Sequence, residues 1–187
     1  RKKLLFSLAL KDAKDLKASV LEDHLDCEQG DLPEEIFRKD LLCPRIFLEE
    51  LTPYRSMIRE FFEEETKHSF AEQPERILDY LKKNITFHAE EEYDTIMATP
   101  VGVLTMKQGS PLAQKILFVA ICRSLNVAAR LNPVTLEPEY YHNGAFHSVE
   151  TEAAVLEEET ESAVLALNAE DGSVWKYYQT WPIGKWN

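Results

Sequence analysis

Six consecutive apolar residues, Ile116-Leu117-Phe118-Val119-Ala120-Ile121, sit in a segment that opens with Ser110-Pro111 and closes near Leu125-Asn126. At 3.6 residues per turn, such a run places apolar side chains on every face of a helix. That helix is stable only when other elements enclose it on most sides. Serine is a favoured N-cap and proline a favoured first helical residue, so the pair marks the start. The pattern therefore predicts a buried helix over 110–125 at the centre of the domain, with the rest of the chain supplying its walls.

Upstream the texture is helical. Ala13, Leu16, Val20, Leu21 and Leu25 recur at close to helical spacing, which predicts one helix over 12–25 with Gly30 as a stop. Asp31 is placed to cap a short helix carrying Pro33, Ile36, Phe37, Leu41 and Leu42, ending before Pro44. Thr52-Pro53 opens another, expected to turn Tyr54, Met57, Ile58, Phe61 and Phe62 inward and Arg55, Arg59, Glu60 and Glu63 outward. Glu63-Glu64-Glu65 reads as a solvated helix face. A further helix is expected over 74–83, with Ile77, Leu78 and Leu81 inward and Lys82 and Lys83 near the negative end of its dipole.

Downstream of Arg130 the pattern turns to strands. Tyr140, Tyr141, Ala145 and Phe146 flank Asn143-Gly144, a two-residue hairpin signal. Asp171-Gly172 is a second one, between the loosely alternating 162–168 and the aromatic, β-branched 174–181.

The formal charge of -12 argues against nucleic acid as a partner, because phosphate binding needs clustered Lys and Arg. The opening RKKLLFSLAL mimics an export signal, but it runs straight into Lys11, Asp12 and Lys14 with no small-residue cleavage site. It is expected to be an amphipathic first helix. No run approaches the roughly 18 apolar residues of a membrane span. The absent initiator Met and the apolar Trp181, Ile183 and Trp186 suggest part of a longer polypeptide. Cys27, Cys43 and Cys122 lie in no metal-binding spacing, and a Cys27 to Cys43 bridge stays open. His88 with Glu90, Glu91, Glu92 and Asp94 lacks the spaced ligands and turn glycine of a calcium loop. No metal and no cofactor are expected.

Thr99–Arg130, TPVGVLTMKQGSPLAQKILFVAICRSLNVAAR, resembles the nucleophile-helix region of transglutaminase-like proteins. In that family a Gly-x-Cys turn opens a buried helix that closes on a segment like Leu-Arg-Ala-Leu-Gly-Ile-Pro-Ala-Arg. Counting back from Arg130 puts Gly109 on the glycine, Ser110 on the intervening residue and Pro111 on the cysteine. The resemblance implies a histidine on a following strand and an acidic residue on the next. The interval Leu131–Glu139 holds no histidine, His142 and His147 flank the hairpin turn, and Glu150 stands where the acid is expected. Cys122 lies too far along the helix to substitute, and Ser110 would need His142 as its base.

The fold implied is α+β: a helical N-terminal region, then a transglutaminase-like, papain-like core with a buried helix on an antiparallel sheet. The expected divisions are a helical region over 1–70, the core over 71–150 and a β extension over 151–187 that begins a further β domain. No catalytic residue is assigned. Gly109, Ser110 and Pro111 form a vestigial site, and the function implied is a non-catalytic module of an exported bacterial protein of the periplasm or cell surface. It would bind a peptide or glycan, or organise other domains of the same polypeptide. Tyr140, Tyr141 and His142 are the expected lining of the cleft, and Trp175, Tyr177, Tyr178 and Trp181 offer stacking faces. The alternative is an active cysteine-type acyltransferase or peptidase with displaced residues.

Overall fold

The apolar run forms the central helix its pattern demands. In the computed structural model, which describes residues 2–87 and 98–151, this helix spans Pro111–Ser124, and every residue from Ile116 to Cys122 is wholly buried. The chain divides into two compact units, Arg1–Ala153 and Ala154–Asn187, and the elements below belong to the first.

In chain order they are α1 (Lys2–Leu5), α2 (Leu10–Asp15), α3 (Ala18–Leu25) and α4 (Glu34–Ile36), which runs into a π-helical turn, Phe37–Leu42. Then come α5 (Arg55–Phe61), α6 (Glu64–Glu72), α7 (Glu75–Asn84), β1 (Thr86–Phe87), α8 (Pro100–Met106), β2 (Gln108–Gly109) and the central helix, α9. Three strands close the series: β3 (Ala129–Leu131), β4 (Pro138–His142) and β5 (Ala145–Ser148).

The walls around α9 come from both sides of it in sequence. Ile58 of α5, Ile77 and Leu81 of α7, and Val103 of α8 share one core with Ile116 to Cys122, Ala129, Leu131 and Tyr140. Burying each large aliphatic or aromatic side chain contributes roughly 1.5–3 kcal/mol. The sheet runs β3-β4-β5, antiparallel throughout, with Ala129 opposite Tyr140 and Tyr141 opposite Phe146. Its hairpin turn holds Asn143 and Gly144 at φ +50 and +85, as a two-residue turn with two left-handed positions requires.

Alternation along the strands separates two cores. Tyr140 faces the α9 core, whereas Tyr141 packs with Ala128, Leu4, Phe37 and Leu41, contributed by α1 and the π-helical turn. The N-terminal helices thus cover the second face of the sheet. β5 stays largely exposed at the edge, and the buried helix on an antiparallel sheet is the α+β arrangement expected.

Several local expectations need correcting. The helix expected over 12–25 is broken at Leu16 and Lys17, whose extended backbone separates α2 from α3. Asp12 can thereby pair with Arg45 (2.5 Å) while Val20 enters the interior. On α5 the facing is rotated: Met57 and Phe61 are exposed and Arg55 is wholly buried, its Nε donating to His24 Nδ1 (3.0 Å). The sequence reading missed α6 and α8. The first buries only Phe70 and so lacks an apolar stripe, with Glu63 to Glu65 in solvent as expected. The second starts on Thr99-Pro100, where the threonine hydroxyl accepts from Gly102 N (3.2 Å). Cys27, Cys43 and Cys122 are all free thiols, so no Cys27 to Cys43 bridge exists. The groups around His88 to Asp94, the second hairpin, and Trp175, Tyr177, Tyr178 and Trp181 lie outside the described residues. Among the described residues no helix is long and apolar enough to cross a membrane.

Candidate functional site

Ser110 and Pro111 start α9 as their types dictate. Ser110 is the N-cap, its Oγ accepting from Ala113 N (3.1 Å), and Pro111 is the first helical residue. Gly109, in β2 just before, lies so close to α8 and α9 that a Cβ there would stand 3.2 Å from Val103 Cγ1 and 3.3 Å from Ala113 Cβ. A glycine is needed here for close approach, which brings the helix start against its neighbours. Replacing Ser110 by Ala removes the acceptor for Ala113 N, and the expected loss is about 1 kcal/mol in urea unfolding. Replacement by Asp, which restores an acceptor, should recover it.

One turn further into α9, Lys115 Nζ pairs with Glu137 Oε1 at 2.6 Å, and Thr151 Oγ1 donates to Glu137 Oε2 at 2.7 Å. Glu137 lies in the interval between β3 and β4 where a histidine would be expected. Burial works to raise its carboxyl, but the hydrogen bonds from Lys115 and Thr151 outweigh it and hold the group below its ordinary range. An ionised, doubly bonded carboxylate is a poor general base, because its lone pairs are occupied and its basicity is lowered.

The strand register fixes where the other expected residues fall. Because Glu137, just before β4, bonds Lys115 near the start of α9, and Tyr141 N donates to Ala128 O just past its end, β4 begins near the first turns of α9 and ends beside its C-terminal end. Gly109, Ser110 and Pro111 are thus brought together at one end, and Tyr140, Tyr141 and His142 at the other. A helix of this length keeps the groups about 20 Å apart. Ser110 has no access to His142 as a base. Glu150 is exposed beyond β5.

At that second end is a cleft of about 340 Å³. It is lined by Tyr140, Tyr141 and His142, by Asn126 to Ala128, and by the loop Glu28–Leu32. Tyr140 is largely buried and its hydroxyl donates to Glu75. Burial first, and then that bond to Glu75, push the phenol up to about 12. His142 is exposed, and its backbone carbonyl rather than its ring bonds the imidazole of His147, at 3.1 Å.

The buried helix, the antiparallel sheet after it and the Gly109-Ser110 turn before it agree with one comparison. The model of the transglutaminase-like superfamily matches residues 55–175, more than half of the chain. The chain belongs to the transglutaminase-like superfamily. No curated protein and no solved structure matches it.

Membership gives meaning to where the thiols lie. A transglutaminase-like cysteine nucleophile belongs at the N-terminal turn of the helix, where the macrodipole favours thiolate. Cys122 instead lies in the last turns of α9, wholly buried, and burial pushes its thiol far above the ordinary range, with Arg123 opposing only in part. Cys43 is buried and its Sγ contacts Ser7 O. Cys27 is half-buried, and burial raises its thiol against the opposing charges of Arg55 and Arg59. None of the three lies in the first turn of α9.

Two features of this superfamily member escaped sequence reading. The Lys115, Glu137 and Thr151 network joins positions far apart in sequence, and part of the cleft lining comes from a loop about a hundred residues before β4. The only signal for that loop was Gly30, which has φ +51 and turns it.

Proposed function

We propose that this transglutaminase-like chain is a non-catalytic domain whose role is to bind an extended peptide. The observation that carries the reading is the first turn of α9, where Ser110 is spent on capping and Pro111 offers neither nucleophile nor N–H. In the gap-free register Pro111 takes the cysteine position of the family. Glu137, bonded to Lys115 and Thr151, supports the same reading, since it supplies no base for acyl transfer. Peptide is favoured over glycan because the cleft lined by Tyr140, Tyr141 and His142 also presents the small apolar residues Ala71, Pro74, Val127 and Ala128 beside polar groups. The stretch from Asp31 to Phe62, DLPEEIFRKDLLCPRIFLEELTPYRSMIREFF, resembles the helical preface of transglutaminase-like proteins of bacterial cell envelopes, which supports a place in an exported protein.

The test is chemical. At pH 7 the native protein is treated with a thiol reagent and, separately, with a glutaminyl peptide and a labelled primary amine. Cys122 should react slower than free cysteine by orders of magnitude, no thiol should exceed free cysteine, and no amide should form or break. One hyper-reactive thiol, or turnover that persists in the purified protein, overturns the proposal in favour of a displaced cysteine enzyme.

A further inference from the structure

The cleft at the C-terminal end of α9 has a charge pattern that selects a ligand class. Its charged lining residues, Glu28 and Asp31, are both carboxylates, and no described side chain pairs with either. Lys3, the cation beside this loop, is already committed, donating to Gln29 Oε1 at 3.1 Å and to Glu34 Oε2 at 2.7 Å. The loop is held in shape without any ligand. Gln29 Nε2 donates to Leu32 O and Leu32 N to Gln29 O, both at 3.1 Å, around the left-handed Gly30.

The half-buried Tyr141 and the exposed His142 line the same cleft, together with Val127, Ala128 and Pro74. Its volume lies within the range of small-ligand sites. Exposed carboxylates in one lining with aromatic and aliphatic residues suit a side chain that is itself amphipathic. A Lys or Arg lays its methylene stem along apolar surface and keeps its charged head at the hydrated edge, where an aromatic face also attracts it.

We infer that this cleft is a binding subsite for a cationic side chain, Lys or Arg, of the extended peptide. The inference rests on the peptide-binding reading above and adds its location and charge selectivity. The site lies at the opposite end of α9 from Pro111, so it is separate from the position where family chemistry would occur. The head group sits between Glu28 and Asp31, the stem crosses Ala128 and Val127, and Tyr141 forms the side wall.

The probe is a fluorescein-labelled Gly-Lys-Gly-Lys-Gly peptide titrated with the full chain in low salt, followed by anisotropy, with the Ser and Glu analogues alongside. The Lys peptide should bind saturably and the Glu analogue should not. The double variant Glu28→Gln/Asp31→Asn should weaken binding about two- to thirtyfold, since two exposed charge contacts are lost. Glu60→Gln/Glu63→Gln removes the same charge elsewhere on the surface and should leave binding unchanged. Equal weakening by both pairs, or no saturable binding of the Lys peptide, overturns the inference. Mass spectrometry of the recovered peptide separates this from the reading beneath it. A cleaved or cross-linked peptide overturns the non-catalytic proposal, whereas an intact, unbound one overturns only the subsite.

Discussion

Replacing Arg123 by Met is expected to cost this domain about 3–5 kcal/mol, a large share of the roughly 5–15 kcal/mol that holds a domain folded. Arg123 is almost wholly buried in the last turn of α9. Its Nε donates to Ala129 O at 2.8 Å, and its Nη1 donates to Cys43 O at 2.8 Å and Arg45 O at 2.9 Å. One planar guanidinium thus fastens the segment after the π-helical turn to the start of β3. Methionine fills similar space but leaves three carbonyls without this donor. The bonds to Ala129 O and Cys43 O are buried and the one to Arg45 O part-buried, and a carbonyl costs about 1–3 kcal/mol when buried and unpaired. Lysine keeps the charge, yet its point-like ammonium cannot match donors fixed in one plane, so Arg123→Lys should recover only part of the loss. Urea unfolding followed by circular dichroism gives the answer. A loss below about 1 kcal/mol for Arg123→Met would show that water replaces the guanidinium at little cost.

What local sequence could and could not reveal follows from where each constraint originates. The central helix was legible because Ser110, Pro111 and Ile116 to Ile121 carry its start and its enclosure in consecutive positions. The hairpin was legible because Asn143-Gly144 tolerates two positive φ values that few other pairs accept. Arg55 was not, since helical periodicity places a charged residue outside unless a remote partner is known. Its partners are His24 and the carbonyl of Leu41, and neither leaves a trace near position 55.

The site divides in the same way. That the helix begins without a thiol is a statement about one residue, Pro111, and can be read directly. Tyr140, Tyr141 and His142 were recognisable as neighbours because a strand keeps sequence neighbours close. Their alternation then sends Tyr140 towards the main core and Tyr141 towards the second one, while all three contribute to the lining of the cleft at the end of the strand. That Glu28 and Asp31 line the same cleft depends on the N-terminal helices packing against the sheet, a tertiary fact with no periodic signature.

Acidification should unfold the protein through one buried imidazole. His24 is wholly buried against the Tyr54 ring (4.5 Å between centroids), and its Nδ1 accepts from Arg55. Burial first, then the positive charge of Arg55, lower its pKa from 6.5 to about 3, against the opposing pull of Asp23. In the unfolded chain the same imidazole takes up a proton once pH falls below about 6.5, whereas in the folded chain it stays neutral until about pH 3. Unfolding therefore binds a proton within that window. Stability is full above pH 6.5 and declines by about 1.4 kcal/mol per pH unit as pH falls towards 3. His24→Asn offers a carbonyl to Arg55 near the place of Nδ1 but cannot titrate. At pH 7 the variant should be less stable than the parent, because a buried ring is lost. Between pH 6.5 and 5 its urea midpoint should fall less steeply, by about the slope of one proton. Parallel curves for the two proteins would mean that His24 is already protonated in the folded state, and that Asp23, not Arg55, governs its charge.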